Sequence, residues 1–262
     1  MTLPVFLGED LTPVLESLSV GDSATLAGAE GRHAASVRRI GAGEWVDVVD
    51  GCGLRARCEV SGSDKSSLSL IVRELVREGA PNPEVILVQA LAKGGRDEAA
   101  VEICTEIGID RVIPWASQRA IVQWKGPKAE KGRAKWESVA RAAAKQSRRA
   151  FVPVVEDVKD SRELASWLAS LTEAAGVAFV CHEEAADSLG AALALVQQSR
   201  ADGRLPARIA LIVGPEGGIG PEETTQLVDG GARMIGLGDN VLRSSTAGAV
   251  ALTLIRAAAG TY

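Results

Sequence analysis

The chain is poor in aromatic residues, with five Trp, three Phe and one Tyr among 262 residues. So sparse a set argues against stacking platforms as the main means of holding single-stranded nucleic acid. Soft metal ligands are also few: two histidines and four cysteines (Cys52, Cys58, Cys104, Cys181), with no CxxC spacing. That argues against a metal site and for reduced thiols in a cytoplasmic protein. The longest apolar runs are strand-sized, so no membrane span is expected. Met1 to Glu9 has neither a basic n-region nor a long apolar h-region, so no secretory leader is expected there.

What is present is ordinary globular composition, 46% hydrophobic and 24% charged, at a length suited to one large domain or two. The formal net charge is −5, but it is uneven. Lys125 to Arg149 holds nine Lys or Arg against two Glu. Two readings compete for this segment: a solvated helix face, and a basic face aimed at nucleic-acid phosphates.

Residues 1 to about 75 read as β-rich. Trp45 to Asp50 leads into a turn at Gly51-Cys52-Gly53, and Leu54 to Val60 alternates. Ser61 to Asp64 reads as a second turn before Ser67 to Val72, which makes a meander suited to a small barrel. His33 reads as a packed barrel residue. Gly79-Ala80-Pro81-Asn82-Pro83 reads as a linker, because proline resists both helix and central strand.

Beyond the linker, strands and helices alternate, which implies a mostly parallel sheet with helices on both faces. Strands are expected at 85–88, 111–113, 152–155, 177–180, 209–213 and 234–237. Helices are expected at 97–107, with Ala100, Ile103, Cys104 and Ile107 inward and Gly108 as the stop, and from about Glu130 to Arg149, with Trp136, Val139, Ala140 and Ala143 on one face. A third is expected to be capped by Ser161 and stopped by Gly176.

Two loops carry the chemical signal. Leu211 to Gly220 contains Gly214-Pro215-Glu216-Gly217-Gly218, and Leu237 to Ala247 reads LGDNVLRSSTA. Each follows an apolar run and leads into a helix, the arrangement that places a ligand crevice at strand carboxyl ends. The first loop lacks the endings of a P-loop or a dinucleotide fingerprint. Pro215 and Pro221 remove donors, and Glu216, Glu222 and Glu223 are expected to put negative charge at the mouth, so a neutral or cationic ligand suits better than a polyphosphate. The second loop brings Leu242 where a polar residue is usual, and Ser244 or Ser245 can cap the next helix. Together they make an apolar, backbone-lined pocket that suits an adenosine moiety.

These two loops resemble the C-terminal motifs of SPOUT methyltransferases, and more narrowly those of the RsmE family. The resemblance extends over nearly the whole chain. His33 to Arg39, Val46 to Gly51, Gln89 to Lys93, Glu106 to Ile109, Ile113 to Arg119, and Gln146 to Arg149 with Val152-Pro153 are similar to its other signatures. It implies an α/β SPOUT trefoil-knot domain over residues 80–262, preceded by a small PUA-like β-barrel over residues 1–75. It implies S-adenosylmethionine as methyl donor and a homodimer. The implied reaction forms N3-methyluridine in 16S rRNA of the small ribosomal subunit. A ribose 2′-O-methyltransferase of the same fold and a non-catalytic RNA-binding assembly factor are the rival readings. Where relatives often have a carboxylate in an L-R-x-E-T-A motif, this chain has Ser245, and where they often have E-Q-S it has Lys145-Gln146-Ser147.

Carried onto this chain, the resemblance assigns the donor site to Val213, Gly214, Pro215, Glu216, Gly217, Gly218, Leu237, Gly238, Val241, Leu242, Arg243 and Thr246, largely through backbone. His182, with Glu183, ends the 177–181 strand and either borders that pocket or lies in an exposed loop. Arg243 is also the candidate catalytic residue, able to neutralise a developing uridine anion, against the alternative of a surface ion pair. Lys93, Arg96, Lys145, Arg148 and Arg149, with Arg38 and Arg39 from the barrel, are the candidate RNA contacts.

Overall fold

The computed structural model describes residues 3–262; Met1 and Thr2, which open the segment read for a leader, lie outside the described residues. It divides into two compact units, one of residues 1–80 with 142–152, the other of residues 81–141 with 153–262. The sequence suggests an unbroken second domain from residue 80; the segment 142–152 departs from that. Its physical reason lies in the first unit, where Ala150 and Val152 pack with Val5, Leu7 and Val49. Val152 N–H donates to the Gly51 carbonyl, and Gly53 N–H to that of Ala150.

The first unit contains β1 (Val5–Leu7), β2 (Leu11–Thr12), β3 (Ser23–Leu26), a short helix α1 (Gly28–Arg32), β4 (Trp45–Val49), β5 (Leu54–Ser63) and β6 (Leu68–Arg77). They form one six-stranded sheet in the order β1-β4-β5-β6-β3-β2, in which β1 and β4 are parallel and the other pairs antiparallel. β5 alternates buried and half-buried residues from Leu54 to Val60, and its inward side chains meet those of β6 in a core with Phe6, Leu26 and Val48. The half-buried ring of His33 lies 6.2 Å from that of Phe6, tilted against it. The expected turn at 61–64 is displaced. β5 continues to Ser63 across a register shift between Val60 and Gly62, and the hairpin turns at Asp64 to Ser67. The Asp64 carboxylate accepts from the N–H groups of Ser66 and Ser67, which pull its pKa down and make it the better turn residue.

The second unit begins with β7 (Glu84–Ala90), α2 (Arg96–Ile107), β8 (Arg111–Ala116) and the part of α3 (Pro127–Gln146) up to residue 141, the rest of that helix belonging to the first unit. It continues with β9 (Val154–Val155), β10 (Lys159–Asp160), α4 (Ser161–Glu173), β11 (Val177–Cys181) and α5 (Leu189–Ala201), and closes with β12 (Arg208–Val213), α6 (Pro221–Asp229), β13 (Arg233–Ile235) and α7 (Ser244–Ala259). The sheet order is β10-β8-β7-β12-β11-β13, with β9 also paired to β8, and every pairing is parallel. Both faces of the central strands are buried, as their unbroken apolar runs require. Val85, Leu87, Ile209 and Leu211 face a core shared with α2, α5 and α7, while Ile86, Val88, Ala210 and Ile212 face one shared with α4 and α6.

Several helix details differ from the sequence reading. Ile103 is exposed, and Val101 and Thr105 are buried beside Ala100 and Cys104, which shifts the inward face of α2. Gly108 does stop α2 in the left-handed conformation. The cap of α4 is Asp160, paired reciprocally with Glu163 in a capping box; Ser161 is the first helical residue and turns inward. α4 stops at Glu173, before Gly176, because Ala175 already takes the left-handed turn. α7 is preceded by Arg243 and has no side-chain cap, so neither Ser244 nor Ser245 caps it.

Candidate active site

β11, β12 and β13 are adjacent and end level: Cys181 is in register with Val213 on one side and Ile235 on the other. The chain leaves all three ends as loops, and these loops surround a cleft of about 630 Å³. That lies within the usual range for a small-molecule or cofactor site, and its place at the carboxyl ends of parallel strands is the expected one.

The loop after β12 lines it from Val213 to Ile219 with Pro221, and the loop after β13 lines it from Leu237 to Arg243. Ser244 and Ala247, from the first turn of α7, and Cys181 with His182, Glu183 and Glu184, after β11, complete the lining. The structure therefore brings together the candidates His182, Val213, Gly214, Pro215, Glu216, Gly217, Gly218, Leu237, Gly238, Val241, Leu242 and Arg243. Thr246 does not line the cleft and is exposed. Ser245 does not line it either.

The local conformations have simple causes. Gly238 has φ +119°, and a Cβ placed there would have nothing within 4 Å, so the backbone turns as only glycine does readily and stays open to the cleft. His182 N–H donates to the Ile235 carbonyl at 3.0 Å, and its Nδ1 accepts from Glu184 N–H at 3.1 Å, so the ring braces its own loop. Desolvation pushes the half-buried Cys181 thiol up to about 12, which favours its neutral form.

The charge at the mouth differs from expectation. Glu216 is exposed but paired with Arg96, Nη1 to Oε1 at 3.0 Å. Glu223 is buried, turned into the protein, and Glu222 is outside the cleft. The acidic groups that do line it are Glu183, Glu184, Glu216 and Asp239, set against Arg96, Arg119 and Arg243. Mixed charge of this kind suits a zwitterionic or cationic ligand better than a polyanion.

Two groups escaped the sequence reading. The Ser244 hydroxyl is buried, lines the cleft and has no hydrogen-bond partner among the described residues. Arg119 reaches the cleft from the loop after β8, and its Nη1 donates to the Gly217 carbonyl at 3.3 Å. Arg119 ends the Ile113 to Arg119 stretch that carries part of the resemblance, but nothing in that stretch pairs it with a loop almost a hundred positions away.

An orphaned hydroxyl at a helix start, open backbone at Gly238, apolar Leu237, Val241 and Leu242, and balanced charge fit a nucleoside carrying an amino-acid tail. Backbone groups would read the base, the leucines would cover it, and Ser244 and the charged rim would meet the polar tail.

The candidate RNA contacts fall in both units. In the second, Lys93 is exposed and Arg96 is committed to Glu216. In the first, Arg38, Arg39 and Arg148 are exposed, Arg149 is half-buried, and Lys145 is held by Glu30 at 2.5 Å. The basic segment is partly neutralised: Arg133 pairs with Glu137 and Asp157, and Lys135 with Glu98.

Comparison with known proteins agrees with this architecture. A family model described as an RNA methyltransferase domain matches residues 80–256, and one described as an RNA methyltransferase PUA domain matches residues 26–73. The chain is 41% identical over 234 residues to "Ribosomal RNA small subunit methyltransferase E" of Mycobacterium bovis, covering 88% of this chain and 85% of the relative. The protein of the same name from Bacillus subtilis is 30% identical, with 88% of each chain covered. A crystal structure of that enzyme from Neisseria gonorrhoeae, bound to S-adenosyl methionine, matches with a TM-score of 0.80 at 25% identity over 98% of both chains. With the parallel sheet, the curled β-sheet unit and the cleft at the strand ends in place, these matches establish that the chain belongs to the ribosomal RNA small subunit methyltransferase E family.

Proposed function

We propose that the chain is an S-adenosylmethionine-dependent methyltransferase that forms N3-methyluridine in 16S rRNA of the small ribosomal subunit. The observation that carries the reading is the cleft itself, lined by the loops that leave β12 and β13 on either side of β11 and by the unpaired Ser244 hydroxyl.

When bound, S-adenosylmethionine supplies an electrophilic methyl group on a sulfonium. The protein's part is alignment, because an in-line displacement needs the nucleophile held opposite the leaving group. Val213 to Gly218, Leu237, Gly238 and Val241 to Arg243 hold the donor, with His182 at the side. A uridine must leave any base pair before its N3 can enter, and it loses the N3 proton on reaction. Arg243 is exposed at the rim with a guanidinium able to stabilise the anion that proton loss leaves on the uracil carbonyls. The displacement itself calls for no metal. Lys93, Arg38, Arg39 and Arg148 offer exposed charge to phosphates, while Arg96, Lys145 and Arg149 contact RNA only by giving up or sharing the partners they hold.

The same reading carries a homodimer, a knotted C-terminal crossing and a cytoplasmic setting. No described helix is long and apolar enough to cross a membrane. The test is transfer of labelled methyl from S-adenosylmethionine to small ribosomal subunits that lack the modification, followed by nucleoside analysis. N3-methyluridine at one site is expected. Label on a ribose would move the activity to the 2′-O class, and no label in any RNA would leave an RNA-binding assembly role.

A further inference from the structure

One buried charge lies outside the donor cleft. Glu223, in the first turn of α6, is 0% exposed. Three donors converge on its carboxylate: Ser117 Oγ at 3.1 Å, Gln118 N–H at 2.8 Å and Ser161 Oγ. Trp115 Nε1 in turn donates to Ser161 Oγ at 3.0 Å. A single carboxylate thus joins the end of β8, the start of α4 and the start of α6. A buried acid is costly unless its acceptors are filled, and a filled network fixes geometry more tightly than apolar packing does.

What it fixes is the residue after Gln118. Arg119 lies along the loop after β12, and Gly217 makes room for it. A Cβ at Gly217 would sit 3.2 Å from the Arg119 carbonyl oxygen and 3.3 Å from its Cβ. One at Gly220 would be 3.6 Å from Arg119 Nε, and one at Gly218 would be 3.8 Å from Nη1. Gly217 is the position where Arg119 crowds the missing Cβ; at Gly218 and Gly220 the arginine lies at ordinary contact distance, alongside the loop.

We propose that Glu223 is a positioning residue for methyl transfer: by holding Ser117 and Gln118 it seats Arg119 against the 214–220 loop and sets that wall of the donor cleft. The proposal rests on the cleft being the S-adenosylmethionine site. Glu223 does not line the cleft and acts through Arg119 and Gly217.

The test uses the full chain with Glu223→Ala, Glu223→Gln, Arg119→Ala and the Glu223→Ala/Arg119→Ala pair. Three quantities are read: S-adenosylmethionine affinity by calorimetry, amide exchange of residues 117–120 and 214–220 without ligand, and thermal unfolding. Glu223→Ala is expected to weaken binding by about tenfold and to speed exchange in both loops together. Glu223→Gln should recover much of this, since its carbonyl still accepts and the serine hydroxyls can rotate. Arg119→Ala should weaken binding similarly, and the double variant should be no worse than Glu223→Ala, because the two act in series. A purely structural Glu223 would lower the unfolding temperature while leaving affinity and loop exchange unchanged, and that result overturns the proposal. So do additive losses in the double variant. If Glu223→Ala does not fold, unchanged affinity and exchange in Arg119→Ala overturn it as well. If the wild-type chain does not bind S-adenosylmethionine, the reading of the cleft fails, and the exchange data alone decide whether Glu223 holds the loop.

Discussion

At the scale of single residues, the cleft is made of groups whose reasons differ. Ser244 has a hydroxyl that meets no partner among the described residues, so Ser244→Ala removes no internal hydrogen bond. Its stability is expected to stay within about 0.5 kcal/mol of wild type in urea unfolding, while S-adenosylmethionine affinity falls by about fivefold. A loss of stability with unchanged affinity would show that the hydroxyl serves the fold. Arg243→Ala is expected to cut methyl transfer more than donor binding; equal losses would remove it from the chemistry. Asp97 gives a signed pH prediction. Burial holds its carboxyl above the usual range, against the pull of the Ala92 and Glu98 N–H groups. A raised folded value means that wild-type stability falls as pH rises through the interval between the unfolded and folded values. Asp97→Asn has no such proton, so its midpoint in urea relative to wild type should be more favourable at pH 7 than at pH 4. A difference that is flat or reversed with pH would contradict this.

At the scale of elements, α7 shows how packing builds the site. Gly248 lies where a Cβ would be 3.0 Å from Leu87 Cδ1, 3.4 Å from Cys104 Sγ and 3.5 Å from Val213 Cγ2. The helix can approach β7, β12 and α2 because that carbon is missing, and Ala247 beside it lines the cleft. Gly248→Val should cost about 1–3 kcal/mol by overpacking and also weaken donor binding; thermal unfolding and calorimetry read both. The helical period likewise explains Thr246. It lies about 200° around α7 from Ser244, whereas Ala247 returns to within about 60° of the same direction. The loop motif made Thr246 look like part of the pocket; the geometry of the helix turns it away. The long apolar strands were legible because both sheet faces are buried, and the two loops because glycine, proline and an out-of-place leucine marked them. The β5–β6 turn, the cap of α4 and the role of Glu223 were not, because each depends on which side chain reaches which backbone group across the fold. Glu223 reads in sequence as one more acid of a helix start, and only the three donors around it reveal a buried anchor.

At the scale of the whole molecule, the overall acidic charge and the exposed cations of each unit call for a substrate held by phosphates at chosen points. RNA affinity should therefore fall steeply with salt. Arg38→Ala/Arg39→Ala should reduce the slope of log affinity against log salt in proportion to the phosphates those two arginines neutralise, measured by filter binding. Lys145→Ala should act differently, through the lost ion pair with Glu30, and lower stability as well as affinity. In the proposed function the loops after β12 and β13 together hold the methyl donor. Amide exchange of the intact chain with and without S-adenosylmethionine tests it most directly. Protection concentrated in residues 213–219 and 237–244 is the predicted result. Protection elsewhere, with these two loops unchanged, would contradict it.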